Sequence, residues 1–427
     1  MKKHIARSFD LFANKLVQFS QERGRVSWWI FLFVLALTLV AITPLPGHSQ
    51  LQRNQQNCQT ETSKELRGVW LTNVDSDVLF DRSSTSEAIS LLEAANFNTL
   101  YPTVWNWGYT LYPSPAAKQV TGLALDPTEG LQDRDVLAEI VTQGHERGMS
   151  VIPWFEFGFM APADSTLAQR HPEWLTSRQD GSTIWWEGKT HQRVWLNPLR
   201  PDVQSFMTDL LVEIVSNYDI DGIQLDDHFG YPSELGYDEY TVGLYQQEHD
   251  GKSPPEDYKD PEWVRWRADK ITAYVEKLFH ELKSHNPKAI ISVSPNPQHF
   301  SLNSFLMDWY TWERKGLIEE LVVQIYRDSN DSLIAELEQP EILVAREHIP
   351  VAIGILSGLK GRPVLWHKIN KQVKIAREHQ FAGVSFFFYE SLWNLATESP
   401  QRRQAALKTL FRDRRERPNL SDCQFIS

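Results

Sequence analysis

The chain has 427 residues, 41% of them hydrophobic and 23% charged, with a formal net charge of −12. That length suits one large α/β barrel with insertions or two ordinary domains, and the composition is globular, with no low-complexity tract. Residues 1–49 carry six basic and two acidic side chains, so the remainder holds a net −16. A body this acidic repels nucleic acid and anionic membrane surfaces, and no Lys/Arg stripe interleaved with aromatics offsets it.

From the N-terminus, a basic segment ending at Arg25 precedes an apolar run over residues 26–42, then Pro44, Pro46 and the small-x-small site at residues 47–49. This is the order of a secretory signal cleaved before Gln50. The alternative is an uncleaved signal anchor, since a bilayer span takes ~17–25 residues. Both place the body outside the cytoplasm, in the periplasm, the cell envelope or the medium, and the basic flank supports that orientation. If uncleaved, the run is the one expected membrane contact. Residues 50–64 read as a polar tether, residues 65–415 as the folded domain and residues 416–427 as a tail. The only cysteines are Cys58 and Cys423. An exported chain meets an oxidising compartment and a closed barrel brings its ends together, so a Cys58–Cys423 disulfide is expected, two unpaired thiols being the alternative.

Short apolar runs alternate with helical stretches from residue 65 onward. The strands are expected at residues 66–74, 98–105, 150–156, 222–227, 289–295, 321–327, 351–356 and 383–389. Helices are expected between and after them, at 84–95, 135–147, 202–217, 263–284, 302–315, 332–348, 363–379 and 401–414. Ser84 and Asp135 are the expected caps of the first two, and Pro363 the opening of the seventh. Strands separated by helices must pair in parallel, and eight such units close a (β/α)8 barrel. A doubly wound sheet would want a Gly-rich turn after an early strand, and residues 71–75 are not one. Two connections are long, after strands 3 and 4, and such insertions belong to the face where barrel sites are built. The first holds Trp174, Trp185, Trp186 and Trp195 around a Gln179-Asp-Gly181 turn, as in a hairpin or lid.

Chemistry is sought at the strands' C-terminal ends. These offer Asn73, Asp75, Trp105, Asn106, Trp107, Trp154, Glu156, Gln224, Asp226, Asp227, His228, Ser294, Asn296, Gln324, Tyr326, Arg327, Ser357, Tyr389 and Glu390. Period-two alternation turns Gln224 and Asp226 toward the barrel axis, opposite Ile223 and Leu225, and leaves Asp227 at the start of a loop. Glu156 stands in the apolar Trp154-Phe-Glu-Phe157, a setting that raises a carboxyl pKa toward that of a working acid. One protonated and one ionised carboxyl on either side of an acetal oxygen are what glycosidic cleavage needs. Glu156 is therefore the expected proton donor, with Asp226 the better choice of nucleophile, base or charge stabiliser and Asp227 more a rim residue. The bland reading makes Asp227 a turn cap and Glu390 the partner of a rim cation such as Arg327. Sixteen tryptophans and thirteen tyrosines supply flat faces for sugar rings, although a large barrel also buries many aromatics.

No metal or cofactor is expected. There is no HExxH, no paired first-strand histidines and no CxxC, and Gly251-Lys-Ser253 lacks the first glycine of a phosphate loop.

Several segments together resemble the glycosyl-hydrolase-like family 10 proteins, bacterial and commonly exported barrels. They are Leu66-Arg-Gly-Val-Trp-Leu-Thr72, Tyr112-Pro-Ser114, Trp154-Phe-Glu156, Trp195-Leu-Asn-Pro198, Tyr218-Asp-Ile-Asp-Gly-Ile-Gln-Leu-Asp-Asp227, Val293-Ser-Pro295, Gln324-Ile-Tyr326 and Tyr389-Glu-Ser-Leu392. The resemblance runs from about residue 65 to about residue 410. It implies a (β/α)8 fold, a site face at Asn106, Glu156, Asp226, Asp227, Gln324, Tyr326 and Glu390, and bacterial cell-wall glycan as one substrate. Trp105-Asn-Trp107 departs from the family's usual Arg and acidic residues, which implies more stacking and less charge pairing there. The expectation is an exported glycoside hydrolase of a polysaccharide, with substrate contacts from Trp105, Asn106, Trp154, Gln224, Asn296, Gln324, Tyr326, Tyr389 and Glu390. The competing class is a non-catalytic carbohydrate-binding barrel of the envelope, which would keep the tryptophans without needing Glu156 and Asp226 at working distance.

Overall fold

The computed structural model describes residues 64–420. The apolar run at 26–42, Cys58 and Cys423 lie outside the described residues. Among the described residues, no helix is long and apolar enough to cross a membrane.

Eight parallel strands build the domain: β1 (Leu66–Leu71), β2 (Thr99–Pro102), β3 in two halves (Ser150–Val151 and Trp154–Phe155), β4 (Gly222–Asp226), β5 (Ile290–Ser294), β6 (Glu320–Gln324), β7 (Val351–Leu356) and β8 (Gly383–Phe387). The ladder runs from the first half of β3 through β2, β1, β8, β7, β6, β5 and β4 to the second half of β3. Both ends of the ladder belong to one chain segment, so the sheet closes on itself as the eight strand–helix units require. The break in β3 falls at Ile152-Pro153, where the proline has no N–H to donate. Ile152 N still bonds Leu100 O at 2.9 Å and Gln224 N bonds Pro153 O at 2.8 Å, which carries closure across the gap.

The outer helices are α1 (Arg82–Ala94), α2 (Val136–Glu146), α3 (Pro201–Asn217), α4 (Pro261–His285), α5 (Trp309–Arg314), α6 (Asn330–Leu337), α7 (Trp366–Glu378) and α8 (Pro400–Leu410). Strand residues such as Ile223, Leu225, Ile291 and Val293 turn outward into the main apolar core, while Leu66, Trp70, Tyr101, Ile152, Trp154, Val322 and Ala352 fill the barrel's interior. Each fully buried aliphatic side chain contributes about 1.5–3 kcal/mol of transfer free energy.

Four expectations shift in detail. α1 is capped by Asp81, whose carboxylate accepts from Ser84 N at 2.7 Å, so Ser84 is the recipient and not the cap. Pro363 lies in a two-stranded hairpin, Gly358–Leu359 with Arg362–Pro363, ahead of α7. The helix expected over 302–315 is two, Gln298–Phe305 and α5, because Leu306 turns left-handed and Asp308 caps anew. The one expected over 332–348 is broken by Pro340, which opens a second helix, Pro340–Ala345.

The barrel's axis is polar lower down. Trp70 Nε1 donates to Gln224 Oε1 (2.7 Å), Gln224 Nε2 to Ser292 Oγ (2.9 Å), and Ser292 Oγ and Tyr101 OH to Glu320 Oε1 (2.8 and 3.0 Å). Arg417, from the segment after α8, enters from the opposite end and pairs with Glu320. A carboxylate 1% exposed would be costly alone, and this guanidinium compensates it.

Candidate functional site

Glu156 follows β3 directly and is 6% exposed. Its Oε2 accepts from Thr72 Oγ1 (3.0 Å), Thr103 Oγ1 (2.9 Å) and Asn106 Nδ2 (2.9 Å), groups at the ends of β1 and β2. Burial pushes the carboxyl up to about 7, and the two threonine hydroxyls and His228 oppose this only in part. With Oε2 filled by three donors, the place left for a proton on this carboxyl is Oε1, to which none of the described residues donates. Asn106 is fixed in turn by donating to Asn73 Oδ1 at 2.7 Å, and its own Oδ1 is buried without a partner, as is Asn73 Nδ2.

β4 delivers the second half of the site. Asp226 points inward as the alternation requires. Its Oδ1 accepts from Ser294 Oγ (2.9 Å) and Gln324 Nε2 (2.8 Å), and its Oδ2 faces His228 Nδ1 at 3.1 Å. Burial and then the adjacent Asp227 carboxylate raise its pKa. Asp227 is the more open of the two; Asn296 Nδ2 donates to its Oδ2, and its Oδ1 lies 3.2 Å from His228 Nδ1. A carboxylate accepts about four hydrogen bonds, so Asp227 keeps more free capacity than Asp226.

His228 sits between the halves. Its Nδ1 meets three acceptors and no donor: Asp226, Asp227 and the Glu156 carbonyl oxygen at 3.0 Å. That nitrogen therefore carries a proton. Burial alone would lower the ring's pKa, but the two aspartates and the carbonyl outweigh it and push it up to about 10.

Over residues 65–377 the chain matches the family described as glycosyl hydrolase-like 10. The chain belongs to the glycosyl hydrolase-like 10 family. Among relatives of known name, it is 25% identical over 330 residues to "Glycosyl hydrolase DigH" of Escherichia coli strain K12, covering 67% of this chain and 70% of that one. It is 24% identical over 302 residues to "Glycosyl hydrolase YngK" of Bacillus subtilis strain 168, covering 66% and 51%. Similar solved structures include the PgaB (BpsB) glycoside hydrolase domain of Bordetella bronchiseptica (TM-score 0.54, 11% identity, 79% of this chain and 99% of that one) and a β-galactosidase of Rahnella sp. R3 (0.59, 11%, 83% and 57%). At that identity the likeness shows the barrel fold alone, and the family membership supports a glycosidase-like function.

The other residues read from the sequence of this glycosyl hydrolase-like 10 member are placed unevenly. Asn296 and Gln324 hold the aspartates, and Tyr326 stacks on Phe387 with ring centres 5.9 Å apart. Trp154 lies 2% exposed against Trp70 and Phe387, at the top of the interior layer. Three expected substrate contacts need correcting, Gln224, Trp105 and Tyr389. Gln224 is wholly buried with both ends of its amide bonded to Trp70 and Ser292. Trp105, also wholly buried, stacks on Phe155, meets Phe206 of α3 edge-on and donates to Gly158 O, so it faces the helix layer and offers no sugar a surface. Tyr389 is packed in the outer core beside Trp393, and Glu390 accepts from Ser76 and Asn394, while Arg327 pairs with Glu336.

The long connection after β3 is a three-stranded antiparallel sheet, with His191–Trp195 between Met160–Pro162 and Trp185–Glu187. It brings the wholly buried Trp195 to 5.7 Å from His228, and the half-buried Trp185 and Phe305 continue this aromatic cluster to the exposed Phe300.

Sequence reasoning missed Thr72 and Thr103 as partners of the acid, because threonine at a strand end reads as β-propensity. It also gave His228 no role, although a histidine directly after paired aspartates was the available signal. Among the described residues, Asp226, Asp227 and His228 form a group whose ligand atoms lie within 4.8 Å of one another and could hold a metal ion.

Proposed function

We propose that this protein is an exported glycoside hydrolase that cleaves the O-glycosidic bonds of a polysaccharide, with the glycan strands of peptidoglycan as the first substrate to try. The observation that carries the reading is Glu156: a buried carboxyl near pKa 7 whose Oε2 is saturated and whose proton is therefore presented on Oε1. A neutral acid of this kind donates to the leaving oxygen as the bond breaks. Asp227, held beside Asp226 by the charged His228, supplies the negative charge that stabilises the oxocarbenium-like transition state. Asp227, the more open, reaches the anomeric carbon or the attacking water. The names of the relatives support a carbohydrate ligand, and the half-buried Trp185 and Phe305 and the exposed Phe300, which continue the ring cluster from Trp195, offer aromatic faces for one.

The test is to incubate purified protein with isolated glycan strands and with neutral polysaccharides, beside Glu156→Gln. Release of reducing ends by wild type and not by the variant is expected. Equal release by both, or none by wild type on any glycan, would overturn the reading.

A further inference from the structure

A second feature lies on the β6–β8 side of the barrel mouth, next to the acids but not part of them. Tyr326 and Phe387 form one wall of a pocket of about 260 Å³, whose remaining lining includes Leu356, Leu359 and Val364 and the charged Arg327, Asp328, Arg362 and Lys368. That volume is below the roughly 300–1,000 Å³ of sites for whole drug-sized ligands, which leaves room for one sugar ring or its substituent. Three cations against one acid give the lining a net +2, in a chain whose net charge is −12.

We propose that this pocket is a subsite for a carboxylate-bearing sugar of the glycan, its ring face on Tyr326 and Phe387 and its carboxylate held by Arg362 and Lys368. The proposal rests on the glycan-hydrolase reading above and names the charge its substrate carries.

Three observations carry it. The cations come from three separate elements: Arg327 follows β6, Arg362 sits in the hairpin after β7, and Lys368 lies on α7. Convergence of like charge on an apolar pocket is costly without an anion to meet it. Asp328 fills that role now, at 3.2 Å from Arg362 and 3.0 Å from Lys368, yet its side chain is 82% exposed. Exposed pairs of this kind hold weakly in water, so a ligand carboxylate that also stacks on the rings can displace it. Arg327 is already bonded to Glu336 at 2.7 Å and contributes field more than contact. Finally, Tyr326 belongs to both places. It stands two residues after Gln324, whose amide donates to Asp226 at 2.8 Å, and its own ring lines the pocket. A sugar in the pocket therefore adjoins the one being cleaved.

The experiment measures binding, which does not depend on turnover. Titration calorimetry at low salt uses the full-length protein with two ligand pairs: a glycan tetrasaccharide with lactyl-ether carboxylates and its methyl ester, and a uronic-acid oligosaccharide and its methyl ester. Wild type is expected to bind the acid of at least one pair about tenfold more tightly than its ester; the pair showing this identifies the source of the carboxylate. Arg362→Gln/Lys368→Gln is expected to bind acid and ester alike. Asp328→Asn, an exposed change that spares the fold, is expected to tighten acid binding about threefold and leave the ester unaffected. Equal affinity of wild type for acid and ester in both pairs, no binding of either acid, or retained preference in the double variant overturns the proposal. Reducing ends measured on the same glycans separate the two readings. Absent release with the acid preference intact removes only the hydrolase, and release without that preference removes only the subsite.

Discussion

His228 Nδ1 lies 3.0 Å from the backbone carbonyl oxygen of Glu156, so a single imidazole ties the segment bearing the buried acid to the two aspartates that end the next strand. Because that nitrogen also meets both aspartates, the ring sets the distance between the halves of the site and balances their charge.

Replacing Glu156 by Gln should separate chemistry from stability. The amide oxygen can still accept from Thr72, Thr103 and Asn106, so the fold is kept, while the transferable proton is gone. Loss of 10³-fold or more in kcat on natural substrate is expected, by initial-rate assay. In wild type the folded pKa is about 7 against 4.5 unfolded. The protonated form is the one folding favours, so the stability it confers is complete below about pH 4.5 and is lost as pH rises through about 7. The variant should therefore gain on wild type by about 3 kcal/mol between pH 4.5 and pH 8, read from urea midpoints at the two pH values.

The aspartates should differ. Asp227→Asn is expected to abolish turnover with little change in folding. Asp226→Asn disturbs a buried carboxylate with three partners and should also lower stability by about 1–3 kcal/mol. An Asp227→Asn enzyme with near-normal kcat would return the main role to Asp226.

His228 should be charged at neutral pH. Its folded pKa of about 10 lies above the usual 6.5, so its stabilising contribution is fully present below about pH 6.5 and disappears as pH rises through about 10. NMR of the ring should show no titration between pH 5 and pH 8. His228→Gln should cost about 10²-fold in kcat/KM and move the acid limb of the pH profile upward, because Asp226 loses the cation that favours its ionised form. An unmoved limb would reduce His228 to packing.

Gly158 is a backbone test of the same link. It holds φ +48°, and a Cβ there would lie 2.3 Å from the carbonyl oxygen of His228. Gly158→Ala should destabilise the protein by at least about 2 kcal/mol and lower kcat with it, measured by denaturant unfolding and rate assay on the same sample.

Much of this was legible in the sequence because strand periodicity and strand ends are local properties. Eight apolar runs gave the barrel, and alternation along residues 222–227 correctly sent Gln224 and Asp226 inward. Depth was not legible: Gln224 and Asp226 share a face, yet one lies within the interior layer and the other at its mouth. Trp105 was misjudged for a related reason. A residue just past a strand can turn either way, and here its ring goes outward to Phe155 and Phe206. The donors to Glu156 were hidden because Thr72 and Thr103 come 84 and 53 residues before it, and only closure of the sheet brings them together.

That closure bears on how the protein should be cut for experiments. The family match stops at residue 377, whereas β8 begins at Gly383 and Arg417 lies further on. β8 is the neighbour of both β1 and β7. An expression fragment ended at the family boundary would expose two bare ladder edges, which pair readily with other chains, and would strand Glu320 without its cation. Insolubility of such a fragment would report on where it was trimmed and leave the protein's own folding competence unquestioned.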